Sequence, residues 1–139
     1  MRPCLVWLGR HRLLPAQEAF IRSRLGEFVM HRIPFVENDS SLLETIRQLR
    51  GRCSRIVVSG TVPLTVFMRL ARVQDEAGFE LWWAVMREVV RDVPPAVAKR
   101  IAMEAPDRRA YQCYGSRCTV YEFERFARLR EVRLILEDV

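Results

Sequence analysis

The chain has 139 residues, a length typical of one domain, and half of its residues are hydrophobic while 29% are charged. These proportions, without any low-complexity stretch, exclude a disordered protein. The net charge is +6, and Lys99 is the only lysine among 23 basic residues. Guanidinium groups make bidentate contacts with phosphate, so this composition permits a nucleotide or nucleic-acid partner, although an arginine-rich genome would give the same bias.

The first third of the chain predicts a strand, a helix and a second strand. Cys4 to Leu8 is apolar and ends at a polar loop. Pro15 is placed for the first turn of a helix, and Gly26 is placed to end it. Residues 27–33 are apolar and β-prone, and Pro34 ends them.

The next segments repeat this alternation. Ser41 and Glu44 have the spacing of a capping box, which predicts that the second helix starts at Ser41 and ends at Gly51. The elements predicted after it are a strand, a helix and a strand, over residues 55–59, 63–77 and 79–86.

Alternating strands and helices favour a parallel sheet with right-handed crossovers. The last third differs, with a helix over residues 96–104, a hairpin that turns at Gly115, and an added edge strand over residues 131–136. The predicted fold is α/β, with a mainly parallel sheet, flanking helices, a C-terminal β-hairpin and that edge strand, in a single domain of residues 1–139. Residues 96–121 are predicted to be an insertion, a lid or an interface.

A polar loop follows the first strand, at Gly9, Arg10, His11 and Arg12. Arg10 and Arg12 are predicted to neutralise phosphate, and a neutral His11 imidazole can carry a proton. The alternative is a solvated basic loop, which is the more common setting of a surface histidine.

A second polar loop, at Ser59, Gly60 and Thr61, offers a glycine for close backbone approach, two hydroxyls, and amides at a helix start that favour an anion. Such glycine turns are also common in any α/β domain. If the two strands are parallel neighbours, both loops lie at the carboxyl edge of one sheet, where open α/β folds bind ligands. Arg87 is predicted to follow the fourth strand and add a guanidinium to that edge, or else to form a surface ion pair with Glu88.

Cysteine spacing gives no metal motif. The four cysteines form no CxxC pair and two scattered histidines do not complete a site, so neither a metal nor a cofactor is predicted. Cys113 and Cys118 can face each other across the hairpin, but we expect reduced thiols in a cytoplasmic protein. No apolar stretch approaches the ~18 to 20 residues that span a bilayer, and the first residues do not have the form of a signal peptide.

Four stretches carry a family resemblance: the first strand with its loop and the Pro15 helix start, and residues 58–61, 79–88 and 126–134. Together they resemble the small CRISPR-associated ring nucleases of the Csx type, Rossmann-like relatives of the CARF domains that bind cyclic oligoadenylate. The resemblance implies a Rossmann-like fold, metal-independent cleavage by a ribose 2′-hydroxyl, and a homodimer whose symmetry matches a cyclic ligand. Three departures are the lack of an acidic residue beside Gly60, Met86 in place of a hydroxyl residue, and residues 96–121, which look like an insertion.

The predicted function is therefore binding and linearisation of a cyclic oligoadenylate, with binding better supported than catalysis. The predicted catalytic residues are His11, Arg10 and Arg87, and the predicted ligand-binding residues are Gly9, Arg12, Ser59, Gly60 and Thr61. One alternative is a non-catalytic nucleotide or RNA-binding module, whose affinity would fall steeply with salt. Another is an interaction subunit of a larger complex, which predicts an exposed apolar patch.

Overall fold

The computed structural model describes residues 1–139 and contains four helices and six strands. In chain order they are β1 (Cys4–Leu8), α1 (Pro15–Leu25), β2 (Val29–Ile33), α2 (Asp39–Leu49), β3 (Ile56–Gly60), α3 (Leu64–Ala77), β4 (Glu80–Val93), α4 (Pro95–Met103), β5 (Arg109–Tyr114) and β6 (Arg117–Arg128). The fold is α/β, as predicted. None of the four helices combines the length and the apolar character that crossing a lipid bilayer requires.

The six strands form one mixed sheet in the order β2-β1-β3-β4-β6-β5. β1 pairs in parallel with β2 and with β3, and β3 pairs in parallel with β4. β5 and β6 pair antiparallel, which confirms the predicted hairpin. The prediction of a mainly parallel, Rossmann-like sheet is wrong, because the strands beyond β4 are the antiparallel pair of β6 and β5, where a doubly wound fold would continue with parallel strands.

Two compact units divide the chain. The sheet unit consists of Met1–His11, Glu27–Trp83 and Arg128–Val139, and the hairpin unit consists of Arg12–Gly26 and Ala84–Ala127. Strand β4 begins in the first unit and ends in the second. The predicted single domain stays a prediction.

Buried apolar strands form the centre of the sheet unit. Every residue of β1 is buried, and so is β3 up to Ser59. Burial of such continuous apolar runs is typical of parallel strands covered by helices. Helices α2 and α3 contribute to the same apolar cluster through Leu42, Ile46, Leu49, Phe67, Leu70 and Ala71.

Helix α2 begins before the predicted start. Its N-cap is Asn38, whose side-chain oxygen accepts the Ser41 N–H at 2.8 Å. Ser41 therefore lies inside the first turn, and Glu44 pairs with Arg47 instead of returning to a cap. The capping box predicted for Ser41 and Glu44 is wrong, because asparagine is as good an N-cap as serine and stands one turn earlier.

Two predicted strand boundaries also differ from the structure. β4 continues to Val93, so Arg87 and Glu88 lie inside the strand and not in a loop after it. Residues 129–139 contain no strand, and the predicted edge strand over residues 131–136 is wrong. An alternating pattern stabilises a strand only through hydrogen bonds to a neighbouring strand, and no strand pairs with residues 131–136.

The hairpin unit has an aromatic cluster between α1 and β6. Phe20 lies 6.0 Å from Phe123 and 5.8 Å from Phe126, measured between ring centroids. Ala98 of α4 is buried in a separate apolar cluster. The hairpin turns at Gly115, whose φ of 61° suits a tight two-residue connection.

All four cysteines form disulfides, Cys4 with Cys53 and Cys113 with Cys118. The prediction of reduced thiols is wrong, because the turn after α2 returns Cys53 to the start of β1, a contact across 49 residues that spacing cannot reveal. Disulfides are rare in reducing compartments, so the predicted cytoplasmic location loses the support that free thiols gave it.

Candidate functional site

Strands β1 and β3 are parallel neighbours, and their register places Leu8 beside Gly60. The residues that follow β1, Gly9 to His11, are called the β1 loop here, and those that follow β3, Thr61 to Pro63, the β3 loop. Because parallel strands end at the same edge, both loops leave the carboxyl edge of the sheet. The predicted common position of the two loops is confirmed.

The two loops touch through Gly9 and Thr61. Gly9 has a φ of 100°, and a Cβ atom on it would lie 2.6 Å from Thr61 Oγ1 and 3.0 Å from Thr61 O. The Gly9 N–H donates to Ile33 O at 2.9 Å, while the Thr61 N–H donates to Leu8 O at 2.8 Å. Glycine is therefore required at position 9 for both its backbone conformation and the close approach.

Gly60 lets β3 approach β1 closely where the strands end. Its φ is 151°, and a Cβ atom there would lie 2.1 Å from Leu8 O, which is a backbone atom. No rotamer change can relieve such a contact, so any side chain would push the two strand ends apart. Gly60 therefore fixes how closely the carboxyl ends of β1 and β3 lie.

Trp7 anchors the β1 loop from beneath. Its ring is buried, and its indole Nε1–H donates to His11 O at 2.7 Å. Arg10 and His11 are exposed. The backbone of this loop is thus held while its two basic side chains are accessible to a ligand. Sequence reasoning missed the role of Trp7, although a tryptophan in a fully buried strand needs a partner for its N–H.

Ser59 does not contribute a free hydroxyl to the edge. Its side chain is fully buried, and Oγ donates to Trp82 O at 2.7 Å. Ser59 therefore links β3 to β4, and it can donate to a ligand only if that hydrogen bond breaks. The exposed hydroxyl of this stretch belongs to Thr61.

The start of α3 follows the β3 loop and favours negative charge. Pro63 is the N-cap and supplies no side-chain hydrogen bond, and the first turn holds no acidic residue. The first amides of a helix have no partner within the helix and carry its partial positive charge. With Arg10 and His11 in the neighbouring loop, this part of the sheet unit suits an anion.

Arg12 and Arg87 belong to the hairpin unit. Arg12 is exposed. Arg87 Nη2 lies 2.8 Å from Glu122 Oε2, and Arg109 Nε lies 3.0 Å from the other oxygen of the same carboxylate. Hydrogen bonds from Arg87 and then Arg109 lower the pKa of Glu122, and Glu122 raises that of Arg87. Arg87 is thus engaged in an ion pair within a strand, and its predicted role, like that of Arg12, stays a prediction.

Comparison with known protein families, curated proteins and solved structures finds no match to this chain.

Proposed function

We propose that the β1 and β3 loops bind a phosphate of a cyclic oligoadenylate and that the protein opens the ring. The observation that carries this proposal is the contact between Gly9 and Thr61, which joins the two loops into one edge. Exposed basic side chains and a helix start free of acidic residues lie next to that contact. The choice of a cyclic oligoadenylate over other phosphate ligands comes from the sequence resemblance.

Binding would use three kinds of donor. Arg10 would neutralise the phosphate and donate hydrogen bonds to its oxygens, as guanidinium groups commonly do. Thr61 would add its exposed hydroxyl, and the first amides of α3 would face the negative charge. Glycine at positions 9 and 60 lets the ends of β1 and β3 lie close enough together for these donors to share one edge.

Cleavage would be an internal transfer at phosphorus. The ribose 2′-oxygen attacks the adjacent phosphorus, the bond from phosphorus to the 5′-oxygen breaks, and the products are a 2′,3′-cyclic phosphate and a 5′-hydroxyl. The 2′-hydroxyl loses a proton that His11 accepts, and the departing 5′-oxygen gains one from water, to which His11 then returns its proton. Arg10 would stabilise the charge that develops on the phosphate.

The test is to incubate the purified protein with cyclic tri-, tetra- and hexa-adenylate in EDTA and to measure binding and linear products by chromatography. We expect one ring to bind and open, Arg10→Ala and Thr61→Val to weaken binding by about tenfold each, and His11→Ala to remove turnover while the ring still binds. The matched controls are Arg52→Ala, an exposed arginine before β3, and Thr45→Val on α2, outside both loops and α3.

Failure of every ring to bind would overturn the proposal. Binding without turnover would limit the function to a sensor. If Arg10→Ala and Arg52→Ala weaken binding equally, the effect of Arg10 comes from overall positive charge and not from its place in the β1 loop.

A second candidate is an interaction role, because a specific surface favours it. Leu134, Ile135 and Leu136 are 74%, 90% and 82% exposed, in a terminal segment without strand pairing. Consecutive exposed apolar side chains typically mark a contact surface. We propose as this second candidate that the segment packs on another copy of the chain.

Light scattering would test that candidate through the mass in solution. The wild type is expected to be a dimer and Leu134→Asp/Leu136→Asp a monomer, with Val139→Asp as a control that stays dimeric. A monomeric wild type, or a dimer that survives the double substitution, would rule this role out.

A further inference from the structure

We propose that Cys4, Cys53 and His31 form a zinc site that is open only when the disulfide between the two cysteines is reduced. The two Sγ atoms and an imidazole nitrogen of His31 all lie within 4.8 Å of one another. Cys4 and Cys53 are bonded to each other in this structure. The same two sulfur atoms can thus serve either a covalent bond or a metal.

The fold brings the three residues together from distant parts of the chain. Cys4 begins β1 and pairs with Val29 of β2, so His31, two residues further along β2, is on the same face of the sheet as Val29. Cys53 lies in the turn after α2, held by its N–H to Leu49 O at 3.0 Å. Tertiary pairing creates this cluster, and no local motif announces it.

The donor set suits zinc. Two thiolates and an imidazole are ligands that Zn²⁺ commonly takes, and a site with three protein ligands keeps a fourth position for water. Around a tetrahedral zinc ion, neighbouring sulfur and nitrogen ligands lie roughly 3.5 to 3.8 Å apart, which falls inside the span of this cluster. Both cysteines are buried, while His31 is half-buried, so solvent reaches the site from the histidine side.

Position in the chain allows the sulfur atoms to separate. Cys4 is fixed by β1, but Cys53 lies in a turn, outside regular secondary structure. Once the bond is reduced, rotation about the Cα–Cβ bond of Cys53 can move its Sγ away from Cys4 Sγ. Hydrogen bonds from Ser54 N–H to Arg2 O and from Cys4 N–H to Arg55 O keep the neighbouring backbone in place. The cluster lies at the amino end of β1, whereas the β1 loop follows its carboxyl end, so this inference does not rest on the proposed function.

The disulfide and the bound zinc ion are mutually exclusive, because both use the same two sulfur atoms. A dithiol reductant gives two electrons and two protons to the disulfide, which becomes two thiols, while the reductant becomes its own disulfide. Zinc then displaces the two thiol protons as both thiolates bind. Oxidation by a disulfide compound reverses both steps and releases the metal.

The second disulfide lacks these features. Cys113 and Cys118 face each other across the hairpin, and Cys4, His31 and Cys53 make the only group of three potential metal ligands in the structure. The chain therefore contains a matched internal control: a pair of cysteines that can be reduced but has no third ligand.

The experiment uses the full chain, oxidised or reduced with a phosphine under nitrogen and then desalted. Each form is mixed with Zn²⁺, desalted again and assayed for metal by mass spectrometry, and Co²⁺ is added in parallel to detect the thiolate-to-cobalt absorption band. We expect about one zinc per reduced chain and none per oxidised chain, since the thiolate is the ligand.

Three variants decide the assignment. Cys53→Ser is expected to lose zinc and the cobalt band, and Cys113→Ser/Cys118→Ser is expected to keep both. His31→Gln, a half-exposed change on β2 that leaves the cysteines intact, is expected to bind at least about tenfold more weakly, since loss of even an indirect partner of a ligand costs that much.

Absence of zinc from the reduced wild type would overturn the proposal. So would affinity unchanged in His31→Gln, or metal that disappears in the Cys113→Ser/Cys118→Ser variant. Circular dichroism of each reduced variant identifies any that fails to fold. Oxidised His31→Gln, which retains the disulfide, gives the reference spectrum of the folded variant.

Discussion

The sheet unit and the hairpin unit are stabilised differently. In the sheet unit, every residue of β1 is buried, and helices α2 and α3 add apolar side chains to the same cluster. The hairpin unit has smaller apolar clusters, around Phe123 and Ala98, but nearly all of β5 is exposed and charged pairs such as Arg87 with Glu122 lie on its strands. Apolar burial stabilises a protein far more than exposed ion pairs do. Substitutions in the sheet unit should therefore lower the free energy of unfolding more than those in the hairpin unit.

The disulfides repeat this difference. Cys4 and Cys53 close a loop across 49 residues inside the core, whereas Cys113 and Cys118 are five residues apart on a hairpin. In the chain-entropy account, a crosslink stabilises more when it closes a longer loop. Reduction should therefore affect the sheet unit more.

The largest expected effect is on the first of these bonds. Cys4→Ser/Cys53→Ser should lower the free energy of unfolding by about 4 kcal/mol and Cys113→Ser/Cys118→Ser by about 2 kcal/mol, from the two loop lengths. Urea unfolding of the oxidised proteins measures both values. Equal losses of unfolding free energy would show that loop length does not determine how much each disulfide stabilises the protein.

Gly60 provides the next test. Gly60→Ala should cost about 3 kcal/mol, because the new Cβ meets the Leu8 carbonyl at a positive φ. Gly115→Ala, also at a positive φ but with open space around it, should cost only about 1 kcal/mol. Thermal unfolding compares the two, and a Gly60→Ala protein as stable as Gly115→Ala would contradict the close approach of β1 and β3.

A buried polar side chain gives a third test. Gln74 is 1% exposed, donates from Nε2 to Leu129 O at 2.7 Å, and accepts the Leu81 N–H at 3.0 Å. Gln74→Leu leaves those two backbone groups without partners and should cost about 2 kcal/mol.

Gln112 on β5 is the matched control in the hairpin unit. It is exposed, so Gln112→Leu should change stability by less than about 0.5 kcal/mol. If urea unfolding gives the two substitutions the same cost, the hydrogen bonds of Gln74 do not hold the segment after β6.

The smallest expected effect concerns Arg55 and Glu80. Two hydrogen bonds join their side chains, and Arg55 lowers the pKa of Glu80. Because the folded pKa is the lower one, the stabilisation is present above the unfolded value of about 4.3 and is lost as pH falls through the folded value. Glu80→Gln should cost less than about 1 kcal/mol at neutral pH, since the pair is partly exposed.

Urea unfolding measured from pH 7 down to pH 3 tests this direction of pH dependence. The difference in unfolding free energy between wild type and Glu80→Gln should decrease as pH falls. A difference that increases instead would show that Arg55 does not stabilise the charged form of Glu80. Glu88→Gln, in an exposed ion pair of the hairpin unit, should lower stability less than Glu80→Gln at neutral pH.

Local signals predicted much of the secondary structure. Proline and glycine placed the limits of α1, apolar runs located β1 and β3, and Gly115 predicted the hairpin turn. A predicted helix start was wrong where two residues could each act as the N-cap, as with Asn38 and Ser41 at the start of α2. Gln74 was missed because its polar type concealed a position that continues the apolar stripe from Leu70.

The candidate site could be predicted only in part. The carboxyl ends of β1 and β3 followed from strand order, since parallel neighbours must end at one edge. The burial of Ser59 and the ion pair of Arg87 did not follow, because each depends on a partner far along the chain, Trp82 and Glu122 respectively.

By itself, the sequence determined the α/β alternation, the hairpin and the polar, glycine-containing loops at the ends of β1 and β3, because those features depend on residues a few positions apart. The tertiary structure alone decided the mixed sheet, the contact of Gly9 with Thr61, and the meeting of Cys4, His31 and Cys53. These depend on which strands pair and in what register, and pairing is set by the packing of the whole chain.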